Sequence, residues 1–214
     1  DLVALTGGSL DISGPLLKAS GGTLTFGGSS FLKLTGNSSV TVGGSFLDLT
    51  DINVDLGGSP VARLEGGSTL KNTAGPVFKI SGGSLKADAL GTTDGAGNTF
   101  NLTGTLLDLA NTTVTLRTLG ESPDGDTDTV TFNLAANEPF IKMTNSTLKS
   151  TGTDNDELID FRPEDTGSTF NGVALIATGS TLTLGDGLLK MDGIFNSTST
   201  SPLIQLTNST VNNI

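Results

Sequence analysis

The chain has no cysteine, histidine, tryptophan or tyrosine among its 214 residues. Without thiol or imidazole it has no Cys or His nucleophile or base, no structural zinc site of the common kind and no disulfide framework. Positive charge is also scarce: 11 Lys and Arg stand against 22 Asp and Glu, a net charge of −11 with no basic cluster. That balance argues against nucleic acid or an anionic membrane surface as partner. No apolar run is long enough to insert in a bilayer, and Asp1-Leu2-Val3-Ala4-Leu5 lacks the basic start and long apolar core of a signal peptide.

What is present is a short repeat. Leu16-Leu17-Lys18-Ala19, Phe46-Leu47-Asp48-Leu49, Val77-Phe78-Lys79-Ile80, Phe140-Ile141-Lys142-Met143 and Leu203-Ile204-Gln205-Leu206 share two apolar residues, a polar one and another apolar one, and Lys33, Arg63, Asp108, Asp160 and Lys190 fill the same polar slot. The unit recurs about every 15 residues, the signature of a solenoid. Each unit continues into a second alternating segment, such as Thr23-Leu24-Thr25-Phe26, Ser39-Val40-Thr41-Val42 or Thr181-Leu182-Thr183-Leu184. Such alternation reads as strand. Between the two strands stands Gly, Asn or Asp, at Gly7, Gly21, Gly36, Asp51, Gly66, Gly82, Asn111, Asn145, Gly179 and Asn208. These residue types tolerate positive φ, so the slot is a sharp corner.

The expected fold is therefore all-β: one parallel, right-handed β-solenoid over residues 1–214. Its units close either after about 15 residues or, two at a time, after about 30. The alternating charges Lys18, Asp48, Lys79, Asp108 and Lys142 favour the wider turn, because it stacks opposite signs. Exposed pairs contribute well under about 1 kcal/mol, too little to decide. The simpler coil is taken, giving about 14 coils and a rod of about 65 Å. Irregular loops are expected near 89–98, 117–128 and 150–168.

Both ends of the sequence already read as strand. Leu2, Val3 and Leu5 at one end and Leu206, Val211 and Ile214 at the other are the expected stacking interface. A bare coil end offers unpaired N–H and C=O groups. Its partner is either a second copy, stacked head to tail into a filament, or the adjoining coils of a longer chain.

Specific chemistry would reside in the irregular stretches. Asp124, Asp126 and Asp128 have the alternate spacing that opens a calcium loop. Ala135 stands where that loop carries its bidentate acid, and Thr129 where it needs Gly. Asp154, Asp156, Glu157, Asp160, Glu164 and Asp165 add further carboxylates. Solvated acidic loops that keep a rod soluble are the plain reading, and calcium is the one cofactor considered. Glycosylation sequons at Asn37, Asn101, Asn111, Asn145, Asn196 and Asn208 follow largely from corner chemistry, which favours Asn before Ser or Thr.

Thr-x-Thr strands at Thr23/Thr25, Thr113/Thr115, Thr129/Thr131 and Thr181/Thr183 resemble the ice-binding face of insect antifreeze solenoids. Asp11, Asp55, Lys71, Lys86 and Lys149 interrupt that ladder, and β-branched residues suit any exposed strand face. Polysaccharide cleavage in the manner of pectate-lyase-like β-helices is the enzymatic alternative. Few basic residues lie near the acidic loops, and Phe is the only aromatic type, so the chain is read as a non-enzyme.

With its Gly-Gly corners, Ser/Thr/Asn-rich faces and acidic charge without cysteine, nearly the whole chain resembles the passenger rods of secreted bacterial adhesins of the filamentous-haemagglutinin type. The resemblance implies an extracellular or cell-surface rod or fibre that adheres or scaffolds, with a cell-surface or glycan target and no catalytic residues.

Overall fold

The structure, a computed structural model, describes residues 1–121, 129–135, 137–153, 157–161, 172–191 and 199–213. Every paired strand among them runs parallel to its partner, and the architecture is a β-solenoid. Strands are numbered in chain order.

Three columns of strands make its walls. The first stacks β1 (Val3–Thr6), β5 (Leu32–Thr35), β8 (Ala62–Glu65), β11 (Ala89–Asp94) and β15 (Thr118–Glu121). Leu119 N then donates to Leu158 O, which leads on to the pair β19 (Ile159–Phe161) and β22 (Leu189–Met191). The second stacks β2 (Ser9–Ile12), β6 (Ser39–Val42), β9 (Thr69–Asn72), β12 (Thr99–Thr103) and β16 (Thr129–Asn133). The third is double and bent at its middle. One limb holds β3 (Leu17–Ser20), β13 (Leu107–Ala110), β17 (Pro139–Thr144), β20 (Val173–Thr178) and β23 (Ile204–Thr207). The other holds β4 (Thr23–Thr25), β14 (Thr113–Leu116), β18 (Thr147–Ser150), β21 (Thr181–Leu184) and β24 (Thr210–Asn213). The long strands β7 (Leu47–Asp55) and β10 (Phe78–Lys86) run through both limbs.

The register corrects the expected coil size. Leu17 pairs with Leu47, Leu47 with Phe78, Phe78 with Leu107, Leu107 with Ile141, Ile141 with Leu175 and Leu175 with Ile204. One turn thus consumes two sequence units, or about 30 residues. From β3 to β23 the chain makes about six turns rather than 14, a stack of about 30 Å rather than 65 Å. The two units of a turn share one pattern but occupy different walls, so their similarity hid the longer repeat.

Burial grows within a single rung. In the first rung Val3, Leu5, Leu10, Ile12, Leu17, Ala19 and Leu24 are only partly buried, because they have a neighbour on one side. One rung on, Leu32, Leu34, Val40 and Val42 are all 0% exposed. Each such aliphatic contributes about 2 kcal/mol, and only stacking provides that burial. Phe26, Phe31, Phe46 and Phe78 run along the core edge to face, with Phe31–Phe46 and Phe46–Phe78 centroids each 5.7 Å apart.

The corners behave as the residue types require. Gly21, Asp51, Gly82, Asn111, Asn145, Gly179 and Asn208 all hold positive φ and fall in one column, and Gly7, Gly36, Gly66 and Gly95 hold it in another. At several corners a small polar residue one or two positions on forms a buried ladder that the repeat pattern did not announce. Thr112 N donates to Ser146 Oγ (3.3 Å), Ser146 N to Ser180 Oγ (3.1 Å) and Ser180 N to Ser209 Oγ (3.1 Å). On the other corner Ser38 N donates to Ser68 Oγ (3.2 Å) and Ser68 N to Asn98 Oδ1 (3.0 Å). Each hydroxyl or amide satisfies a backbone N–H that the turn removes from the strand ladders.

The stretches expected to be irregular contain regular strand at their described residues: β11 within 89–98, β15 within 117–128 and β19 within 150–168.

Candidate functional site

The side walls carry paired charge. Asp48 lies between Lys18 and Lys79, at 3.9 and 3.8 Å, and Lys142 Nζ lies 3.8 Å from Asp108 Oδ2. Arg63 bridges Glu65 (2.7 Å) and Asp94 (3.0 Å), while Lys33 meets Glu65 at 3.1 Å. Arg117 grips Asp88 through Nε and Nη2, at 3.0 and 3.1 Å. These groups neutralise one another from rung to rung across the wall surface. Among the described residues, no group of three His, Cys, Asp or Glu side chains could hold a metal ion, and no helix is long and apolar enough to cross a membrane. Asp124, Asp126 and Asp128 lie outside the described residues.

The Thr pairs do not form a continuous face. Thr129 and Thr131 belong to the second column, away from the other three pairs. In the third column Thr113/Thr115 stacks on Thr147/Lys149, which separates it from Thr181/Thr183, and Thr23/Thr25 stacks on Asn53/Asp55. No two adjacent rungs among the described residues both carry the full pair. Of the sequons, Asn37, Asn111, Asn145 and Asn208 sit at positive-φ corners (φ 60, 52, 47 and 50). Their middle residues Ser38, Thr112, Ser146 and Ser209 are the ladder residues just described, so the Asn-Ser-Thr motif serves the turn. Asn101 lies within β12, and Asn196 lies outside the described residues.

The apolar surface is concentrated elsewhere. The exposed large hydrophobics among the described residues are Leu2 (53%), Leu203 (36%), Ile204 (42%), Leu206 (46%) and Val211 (41%). All belong to the first or last rung. Leu206 on β23 and Val211 on β24 share one end face, and β1 to β4 form the opposite one, each strand paired on one side only. Of the expected stacking set, Leu2, Leu206 and Val211 are exposed, whereas Val3 and Leu5 pack half-buried against the core. Ile214 lies outside the described residues. Leu203 and Ile204 were missing from that set, although they occupy the same two apolar slots that head the other units.

Among the described residues, the strands of these two faces pair on one side only, around an aliphatic centre, and pairing of that kind seats one rung upon the next elsewhere in the solenoid. No protein-family model, curated protein or solved structure matches the chain.

Proposed function

We propose that the chain is a structural extracellular β-solenoid, a rod for adhesion or scaffolding whose end faces stack head to tail. The observation that carries this reading is that the exposed large hydrophobics among the described residues fall on the two end rungs, beside walls on which charges pair rung by rung. A contact between unlike end faces does not close on itself, so repetition builds a filament. The extracellular setting follows from the resemblance to adhesin rods, to which the acidic, cysteine-free composition belongs.

Negative-stain electron microscopy of the 214-residue chain over a concentration series tests the proposal. Thin filaments are expected, and Val211→Lys should abolish them by placing a charge in the apolar end face. Circular dichroism of the variant confirms that it still folds. Monodisperse particles about 30 Å along the stacking axis at all concentrations would overturn self-assembly and leave the faces to adjoining rungs of a longer chain.

A further inference from the structure

The corner column carries a rule about which side chain follows which. The Asp51 side-chain oxygen fills the place that a Cβ on Gly82, one rung later, would take. A Cβ on Gly179 would likewise stand 2.5 Å from Asn145 Oδ1, and at the other corner, between the first and second columns, one on Gly67 would stand 2.5 Å from Asn37 Oδ1. Glycine thus receives the amide or carboxylate of the rung before it. Asn145 follows Asn111 instead by donating from Nδ2 to Asn111 Oδ1 at 3.5 Å. The last member of the column is Asn208, at positive φ, with no following rung among the described residues to lie over. The first is Gly21, and nothing stands within 4 Å of where its Cβ would be.

We propose that a second copy docks in one register, with β3 and β4 of the incoming copy pairing in parallel with β23 and β24, and Gly21 received beneath the Asn208 amide. This rests on the stacking reading above and adds to it the identity of the partner surface and its rotation about the axis. The first and third columns then continue from one copy into the next. Ile204 and Leu206 cover Leu17 and Ala19, and Val211 covers Leu24, so the exposed apolar residues of one end meet the half-buried ones of the other. On the outer face Gln205 meets Lys18, and Thr210 meets Thr23, with no like charges opposed among the described residues.

The internal repeat offers one competing register, rotated by one unit, in which β23 meets β1. It seats Asn208 over Gly7 and leaves Gln205 opposite Ala4, but it brings Lys190 of β22 over Lys18 of β3. Like charges on adjacent rungs oppose that rotation, whereas the proposed register places Lys190 opposite Ala4.

The absence of native cysteine makes the register directly readable. Neighbouring parallel strands lie about 4.8 Å apart, within the Cα separation that a disulfide accepts. The chain carrying Gln205→Cys with Lys18→Cys is compared with one carrying Gln205→Cys with Ala4→Cys, each oxidised with copper phenanthroline at filament-forming concentration. The first pair should give a ladder of covalent multimers on non-reducing gels, and the second should stay largely monomeric. Cross-linking mainly through Ala4→Cys, or filaments of the native chain with neither pair cross-linking, would overturn the register while stacking stands. No filaments from the native chain and no cross-linking would overturn the stacking itself.

Discussion

Lys79 Nζ stands 3.8 Å from Asp48 Oδ1, across one rung of the third wall. The two residues are partners in the strand register, and on the other side of Asp48 lies Lys18, also in register and 3.9 Å away. The alternation visible along the sequence is thus a real column of opposite charge, which a 15-residue coil would have broken by stacking Lys18 on Lys33. Its energetic contribution is modest, because Lys18 and Lys79 are 76% and 50% exposed. Its value lies in discouraging a one-unit slip between walls of similar pattern.

Reversing the central charge tests that view. Asp48→Lys puts three lysines on consecutive rungs, and urea unfolding in low salt should show a loss of about 1 kcal/mol relative to Asp48→Asn. In about 1 M salt, where the screening length falls to about 3 Å, the difference should nearly vanish. A deficit that persists in high salt would mean that packing rather than charge is at stake.

The corner ladder makes a larger demand. Ser146 is 3% exposed, its hydroxyl accepts from Thr112 N and donates to Thr144 O (2.8 Å), and its own N–H donates to Ser180 Oγ. Ser146→Ala leaves the Thr112 N–H buried without its acceptor, a cost of about 1–3 kcal/mol. Ser209→Ala at the outermost, more accessible rung should cost less, because water replaces the lost hydroxyl. Equal effects by urea titration would contradict the ladder as a buried device.

Close approach of backbones sets a third test. A Cβ on Gly83 would collide with the backbone carbonyl of Ile52, and Gly83 also holds φ +67. At Gly21, φ is +69 but the surrounding space is open. Gly83→Ala should therefore destabilise by more than about 3 kcal/mol, and Gly21→Ala by about 1 kcal/mol from backbone strain alone. Thermal melts of the two variants separate collision from strain.

These contrasts also show where the sequence was legible. The polar slot, the alternating strands and the Gly/Asn/Asp corners follow from local rules of side-chain alternation and backbone freedom, and the ten corner residues named from the sequence all hold positive φ. The turn length was not legible, because it depends on which of two similar units returns to the same wall. The stretch at Ala89 escaped recognition for a different reason. Gly91 of β11 pairs with Ala62 and Gly120, so three small residues stand side by side in that column, and the Phe100 ring fills the space a side chain at Gly91 would use. The apolar slot was emptied on one wall and filled from another, a compensation across walls that local pattern does not reveal. At the end faces, Leu2, Leu206 and Val211 could be named because they belong to the first and last units of the repeat pattern, whereas half-burial of Val3 and Leu5 depends on packing against the second rung.

One contact reaches past a rung altogether. Asn137, at φ +66, offers Oδ1 to Ser199 Oγ (2.8 Å), Thr200 N (3.0 Å) and Ser201 N (3.1 Å), residues more than 60 positions later in the chain. Between the two segments in sequence, Gly172 lies so close to the Glu138 carbonyl that a Cβ there would collide with it, and Val173 N donates to that same carbonyl at 2.9 Å. Asn137 thus fastens the approach to β23 onto a rung two turns earlier. Asn137→Gly removes the acceptor and keeps the backbone conformation. Each intramolecular hydrogen bond contributes about 1 kcal/mol net, so amide hydrogen exchange at Thr200 and Ser201 should accelerate about fivefold, with protection in β7 unchanged because that strand lies on the far side of β10 and β13 from β17. Acceleration throughout the chain would mean instead that the contact supports the whole solenoid, and no acceleration at Thr200 would mean that the strand pairing of β23 alone secures the last rung.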